Sequence, residues 1–203
     1  DLHTAYRRQR QMCIRDRLLP LALAGMVCGW VFHAANKGTL RLSEAMGNRP
    51  VAKAVLAGII LAVCGMALPF TMFAGESQAH YLMEGYAAIP AVALIATGFV
   101  KCALTPTCLN LGWHGGHFFP VIFSGVSLGY GFALLTGAAP AFCVAACTSA
   151  LMGAVMRQPI MAALLLMLCF PLKGVVVMLV AAVIGAVVPL PKVIQPERAD
   201  DRA

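Results

Sequence analysis

Residues 102–156, which include "CALTPTCLNLGWHGGHFFPVIFSG", contain no Asp, Glu, Lys or Arg. A membrane crossing needs only about 20 apolar residues, so an uncharged run of this length reads as more than one crossing. The rest of the chain agrees: 61% of its residues are hydrophobic and 11% charged. A typical soluble domain carries about 25% charged residues. A soluble helix bundle of this composition would have too few polar side chains to coat its core. The chain is therefore expected to be an all-α integral membrane protein, multi-pass, with the lipid bilayer as its first partner.

The net charge of +7 does not mark a nucleic-acid partner. The cations lie mainly in a few clusters that flank apolar runs, as topology signals do. Eight cysteines do not form a disulfide framework either. Cys28, Cys64, Cys143, Cys147 and Cys169 fall inside apolar runs, where cysteine packs as a small hydrophobe. Cys143 and Cys147 share a helix face, with no nearby His or carboxylate to complete a metal site.

Seven membrane segments are expected, some broken or partial. Leu18–Ala35 is the first, with Gly25 and Gly29 at the spacing of close helix contact. Asn36–Lys53 reads as a polar loop with a short amphipathic stretch, and Ala54–Phe73 as the second span, kinked or ended near Pro69. Gly75–Tyr86 reads as a polar loop holding Glu76 and Glu84. The third span is Ala87–Leu104, the fourth helix Pro120–Leu135 and the fifth Ala141–Met156. Pro159–Phe170 is too short for a full crossing, and Gly174–Val188 is the last segment. With loop 36–53 cytoplasmic, alternation places Lys101, Arg157, Lys192, Arg198 and Arg202 inside and Lys173 outside, matching the positive-inside bias. The Arg-rich segment 1–17 breaks that bias and lacks the features of a signal peptide. It is expected to be truncated or non-native. The domain plan is then 1–17, a transmembrane unit over 18–192, and a polar tail over 193–203.

The stretch "GWHGGHFFP", residues 112–120, interrupts the uncharged run with residues that disfavour a continuous helix. An unwound Gly115-Gly116 link followed by a helix start near Phe119-Pro120 would gather the free N–H groups of His117, Phe118 and Phe119 at a helix N-terminus. Such a terminus carries about half a positive charge and attracts anions. Irregular backbone at membrane depth survives only where it is buried or lines a cavity. The candidate anion-binding backbone is thus Gly115, Gly116, His117, Phe118, Phe119 and Pro120. A motif free of Lys and Arg suits transport, because dipoles release an anion that a bare charge would retain. Gly116 is expected to need a positive φ or open space for the ion. Against this stand a glycine-rich crossing with a proline kink, and a metal or proton transporter built on His80, His114, His117 and methionines. A membrane-embedded enzyme would need acids or a nucleophile–base pair within the spans, and 102–156 holds no acid.

"GGHFFP" followed by "VIFSGVSLGYG" resembles the filter segment of the CLC chloride channel and transporter family. "KCALTPTCLNLGWHGG" resembles the Lys- or Arg-ended helix and small-residue turn before that filter, and "LMGAVMRQPIMAALLLML" the helix pair after it, broken at Arg157 and Pro159. The similarity runs from Leu18 to Lys192 and covers the second of the family's two inverted repeats. It implies chloride or another halide as the transported ion, no resident cofactor, no enzymatic activity, a homodimer in the intact protein, and a bacterial-type plasma (inner) membrane. It also implies a partner repeat on the N-terminal side, because the family's Gly-Ser-x-x-Pro loop and gating-glutamate loop have no match here. The family's pore tyrosine has no counterpart after Val188, and His117 stands where a small or aliphatic residue is usual. These departures leave channel and proton-coupled exchanger equally open. Gly125 and Gly129 in "GVSLG" are expected to need a partner to pack against, either a second copy or the missing half.

Overall fold

The computed structural model describes residues 2–72, 75–170, 174–191 and 194, with side chains from Arg17 onward. It is built of eight α-helices among the described residues: α1 Leu2–Ala45, α2 Pro50–Ala67, α3 Glu76–Gly85, α4 Ala91–Asn110, α5 Phe118–Thr136, α6 Pro140–Met156, α7 Pro159–Cys169 and α8 Val175–Val187. Four of them hold an apolar stretch long enough to cross a membrane: Arg17–Ala45 within α1, and α2, α4 and α5. Helices α6, α7 and α8 are apolar but shorter. The chain is an all-α integral membrane protein with broken and partial-span helices.

The core forms around α6, which packs on α1, α5, α7 and α8. Every residue of α6 from Cys143 to Ala154 is buried, and most are Ala, Cys, Ser, Thr or Gly. Small side chains let backbones approach, and in a bilayer that close approach takes the place of the hydrophobic drive between helices. Gly25 and Gly29 of α1 sit against α6 at Cys147, Ala150 and Ala154, as their spacing predicted. Gly125 and Gly129 also pack on α6, against Thr148 and Val144. Their partner is a helix of the same chain, so this pair needs no second copy to be covered.

Several boundaries differ from the sequence expectation. The loop expected at 36–53 is largely helical, because α1 continues to Ala45. Asn110 of α4 holds that extension, its Nδ2 donating to the Asn36 carbonyl (3.1 Å), Asn36 Oδ1 (2.9 Å) and Thr39 Oγ1 (2.9 Å). The loop expected at 75–86 contains α3, whose Ala79 and Leu82, with Tyr86 just after the helix, join a cluster with Phe123 and Tyr130 of α5. The third span was expected to stop at Leu104, before Pro106, yet α4 runs on to Asn110. On either side of the proline, the Thr105 and Thr107 hydroxyls donate to the Lys101 and Ala103 carbonyls one turn back. Lys101 therefore sits in mid-helix and is 2% exposed. It cannot serve as the marker of a cytoplasmic helix end.

The break at Arg157–Pro159 is where the sequence places it. Arg157 closes α6 with φ 57°, and its Nη1 donates to the Val188 carbonyl at the end of α8 (2.7 Å). That bond ties two C-terminal ends together. The end of the second expected span at Phe73, the topology marker Lys173, and Lys192, Arg198 and Arg202 of the tail lie outside the described residues.

Candidate functional site

Helix α4 ends in a glycine cap. The N–H of Gly112 donates to the Leu109 carbonyl (3.2 Å) and that of Trp113 to the Cys108 carbonyl (3.0 Å). Gly112 lies at φ 96°, the left-handed conformation this closure requires. The positive φ expected at Gly116 is thus found four residues earlier, where the chain leaves the helix. Neither Gly115 nor Gly116 has a positive φ, and a Cβ at either would meet nothing within 4 Å. The expectation of a positive φ at Gly116 is overturned, and the space around Gly116 is open. The link is held instead by Trp113, whose Nε1 donates to the Ala54 carbonyl of α2 (3.1 Å).

Helix α5 starts at Phe118, slightly before the expected Phe119-Pro120, with His117 as its N-cap and no side-chain cap bond. The first turn closes from the Val121 N–H to the His117 carbonyl (3.2 Å). Phe118 and Phe119 precede any helical acceptor, and Pro120 has no N–H to leave unsatisfied. The helix therefore opens with bare main-chain donors and no acidic residue in its first turn.

A cavity of about 480 Å³ lies beside this start. One wall is a face of α4, formed by Lys101, Leu104, Thr105, Cys108 and Leu109 at helical spacing. Trp113, His114, Gly115, Gly116 and Pro120 line it from the link and α5, and Thr71 and Met72 from the turn after α2. Of the six predicted residues, Gly115, Gly116 and Pro120 border the cavity. Phe118 and Phe119 are exposed beside it. The His117 ring instead lies against Phe118 (4.4 Å between centroids) and Phe32 of α1 (6.4 Å), apart from His114 in the cavity wall. Among the described residues, no group of three or more His, Cys, Asp or Glu side chains is placed to hold a metal ion.

Lys101 is the residue that sequence reasoning did not assign to the site. Its Nζ donates to the carbonyls of Phe70 (3.4 Å), Thr71 (3.2 Å) and Met72 (3.0 Å) and lies 4.8 Å from the centroid of the Phe123 ring. The available signal was a lone lysine at i, i+4, i+8 spacing from Thr105 and Leu109, inside a helix that continues past Pro106.

The family model described as "Voltage gated chloride channel" matches residues 4–189, and the chain belongs to that family. No curated protein and no solved structure matches it.

Proposed function

We propose that this member of the voltage-gated chloride channel family contributes to a pathway for chloride or another halide, with the anion held by main-chain N–H groups at the start of α5. The observation that carries the proposal is the uncapped, acid-free first turn of α5 beside a 480 Å³ cavity whose wall includes Gly115, Gly116 and Pro120. Peptide N–H groups and the helix dipole favour an anion there, and a site without a direct ionic contact lets it leave. Residues 112–116, Phe118 and Phe119 are exposed in this chain, and His117 is half-buried.

The proposal extends to the assembly. A second repeat, N-terminal to this one, supplies opposing helix ends, and the intact protein is a homodimer in a bacterial-type plasma membrane. It is either a channel or a proton-coupled exchanger. These parts draw on the family resemblance.

Binding measured by calorimetry with sodium chloride tests the site. Replacing the Phe119 amide by an ester, through an incorporated α-hydroxy acid, deletes one N–H and leaves the side chain intact. The lost hydrogen bond to a charged partner, about 1.5–3 kcal/mol, weakens chloride binding by roughly tenfold or more. His117→Ile leaves it near the starting value, since the ring is engaged with Phe32 and Phe118. A greater loss in His117→Ile than in the ester would assign binding to the side chain. In vesicles, the 203-residue chain alone is expected to give no robust chloride efflux. Efflux from that chain would refute the need for a second repeat.

A further inference from the structure

The segment that forms the helix start carries no Lys or Arg, yet the cavity beside it contains the buried side chain of Lys101. An ammonium group has three N–H donors. The carbonyls of Phe70, Thr71 and Met72 engage it from the turn after α2, and the face of Phe123 lies against it. Carbonyl oxygens and a ring face compensate part of the cost of burying the charge without removing it. A charge held this way acts on its surroundings through space, because its donors are directed away from any ligand.

We propose that Lys101 is a specificity-determining residue of the anion pathway, setting a positive potential in the cavity while the carbonyl clasp keeps its ammonium from binding the anion directly. The inference rests on the reading that the cavity beside Gly115 and Gly116 lies on the anion's path. It answers a problem that this reading raises. Peptide dipoles carry only partial charges, whereas a directly coordinating lysine would retain the ion. A charge in the wall with its N–H groups engaged favours entry and permits exit. Low local dielectric lengthens the reach of that charge.

A merely structural clip between the 70–72 turn and α4 would need the donors of Lys101 and not its charge. Two substitutions separate these roles. Lys101→Gln keeps N–H donors and loses the charge, whereas Lys101→Arg keeps both. With chloride as the probe and calorimetry on the purified protein, Lys101→Gln is expected to weaken binding on the order of tenfold. Lys101→Arg restores most of that loss. Chloride binding unchanged in Lys101→Gln, or lowered equally in Lys101→Gln and Lys101→Arg, would overturn the proposal.

Should Lys101→Gln fail to fold, Cys108 on the same wall gives a test that leaves the clasp intact. Cys108→Asp adds an opposing charge and is expected to weaken chloride binding by roughly tenfold, well beyond the effect of the similarly sized but neutral Cys108→Asn. Equal effects of the two would count against a through-space role. Absence of chloride binding to the unsubstituted protein would instead overturn the underlying assignment of the cavity. That result differs from unsubstituted protein that binds and variants that do not discriminate.

Discussion

Helices α2 and α5 are almost equally apolar, with mean hydropathies of 2.0 and 1.8, yet 11% of the first and 56% of the second are buried inside the chain. Only Ala57 and Gly65 of α2 are buried, whereas α5 buries an unbroken run from Phe123 to Gly131. Hydropathy therefore does not separate a lipid-facing helix from a core helix. Small-residue content does not either, since α2 holds five Ala and two Gly; the difference is that Gly125 and Gly129 of α5 meet the backbone of α6. Lipid tails solvate Val55, Ile59 and Val63 as well as a protein interior would, so those side chains gain little by turning inward. A backbone that approaches another closely gains dispersion contacts that lipid cannot match as densely, and α5 and α6 are built for that approach. The cavity lies toward the loosely packed side, between α4, the link and the turn after α2, where close packing does not fill the space.

Gly153 lies on the close-packed side of this contrast. A Cβ there would collide with the Ala182 backbone of α8. Gly153→Val is expected to destabilise by about 3 kcal/mol or more, at the upper end of overpacking costs, because backbone cannot yield as a side chain can. Thermal unfolding in detergent checks this. A variant melting within a few degrees of the unsubstituted protein would show that the α6–α8 contact is not the close-packed core described.

Asn110 tests the join between the two regions. Asn110→Leu removes the donor that Asn36 Oδ1 and Thr39 Oγ1 share, at a cost of about 1–3 kcal/mol. The same change should raise amide hydrogen exchange in residues 36–45, where α1 continues beyond its expected end. Unchanged exchange would mean that the extension is held by local helix propensity alone.

Trp113→Phe deletes the bond from the link to the Ala54 carbonyl and keeps most of the ring's contact with α2. A loss of about 0.5–1.5 kcal/mol is expected, with the link loosened more than the core. Limited proteolysis near residues 112–117 reports the local part, and global melting the rest. Equal effects on both would tie the link to the core more tightly than its single tether suggests.

The smallest effects belong to open positions. Gly116→Ala and Ile59→Val are each expected to shift stability by less than about 0.5 kcal/mol, since one meets open space and the other faces lipid. A large loss at Ile59 would reveal a protein surface covering α2.

Much of this molecule is legible in its sequence for a simple reason. The bilayer penalises charge and unpaired backbone, so the 55 uncharged residues, the breaks at Gly115-Gly116 and Arg157–Pro159, and the short last helices follow from composition and breaker residues. The Gly25/Gly29 spacing identified a close contact but not its partner. Helix α3 was hidden because its polar residues outnumber Ala79 and Leu82, the side chains it adds to the cluster with α5. The continuation of α4 past Pro106 was hidden because a proline ordinarily ends a helix, whereas the packing of α4 on α1 and α5 is a tertiary feature.

The sequence by itself determined a membrane-embedded, all-helical chain with a helix start just after the glycine pair, since both properties depend on local residue chemistry. Only the tertiary structure decided what lies across from that start. Three carbonyls from the turn after α2, supplied by residues about 30 positions earlier in the chain, receive the ammonium of Lys101. A contact of that separation leaves no local pattern, and it puts a positive charge beside a segment whose own sequence contains none.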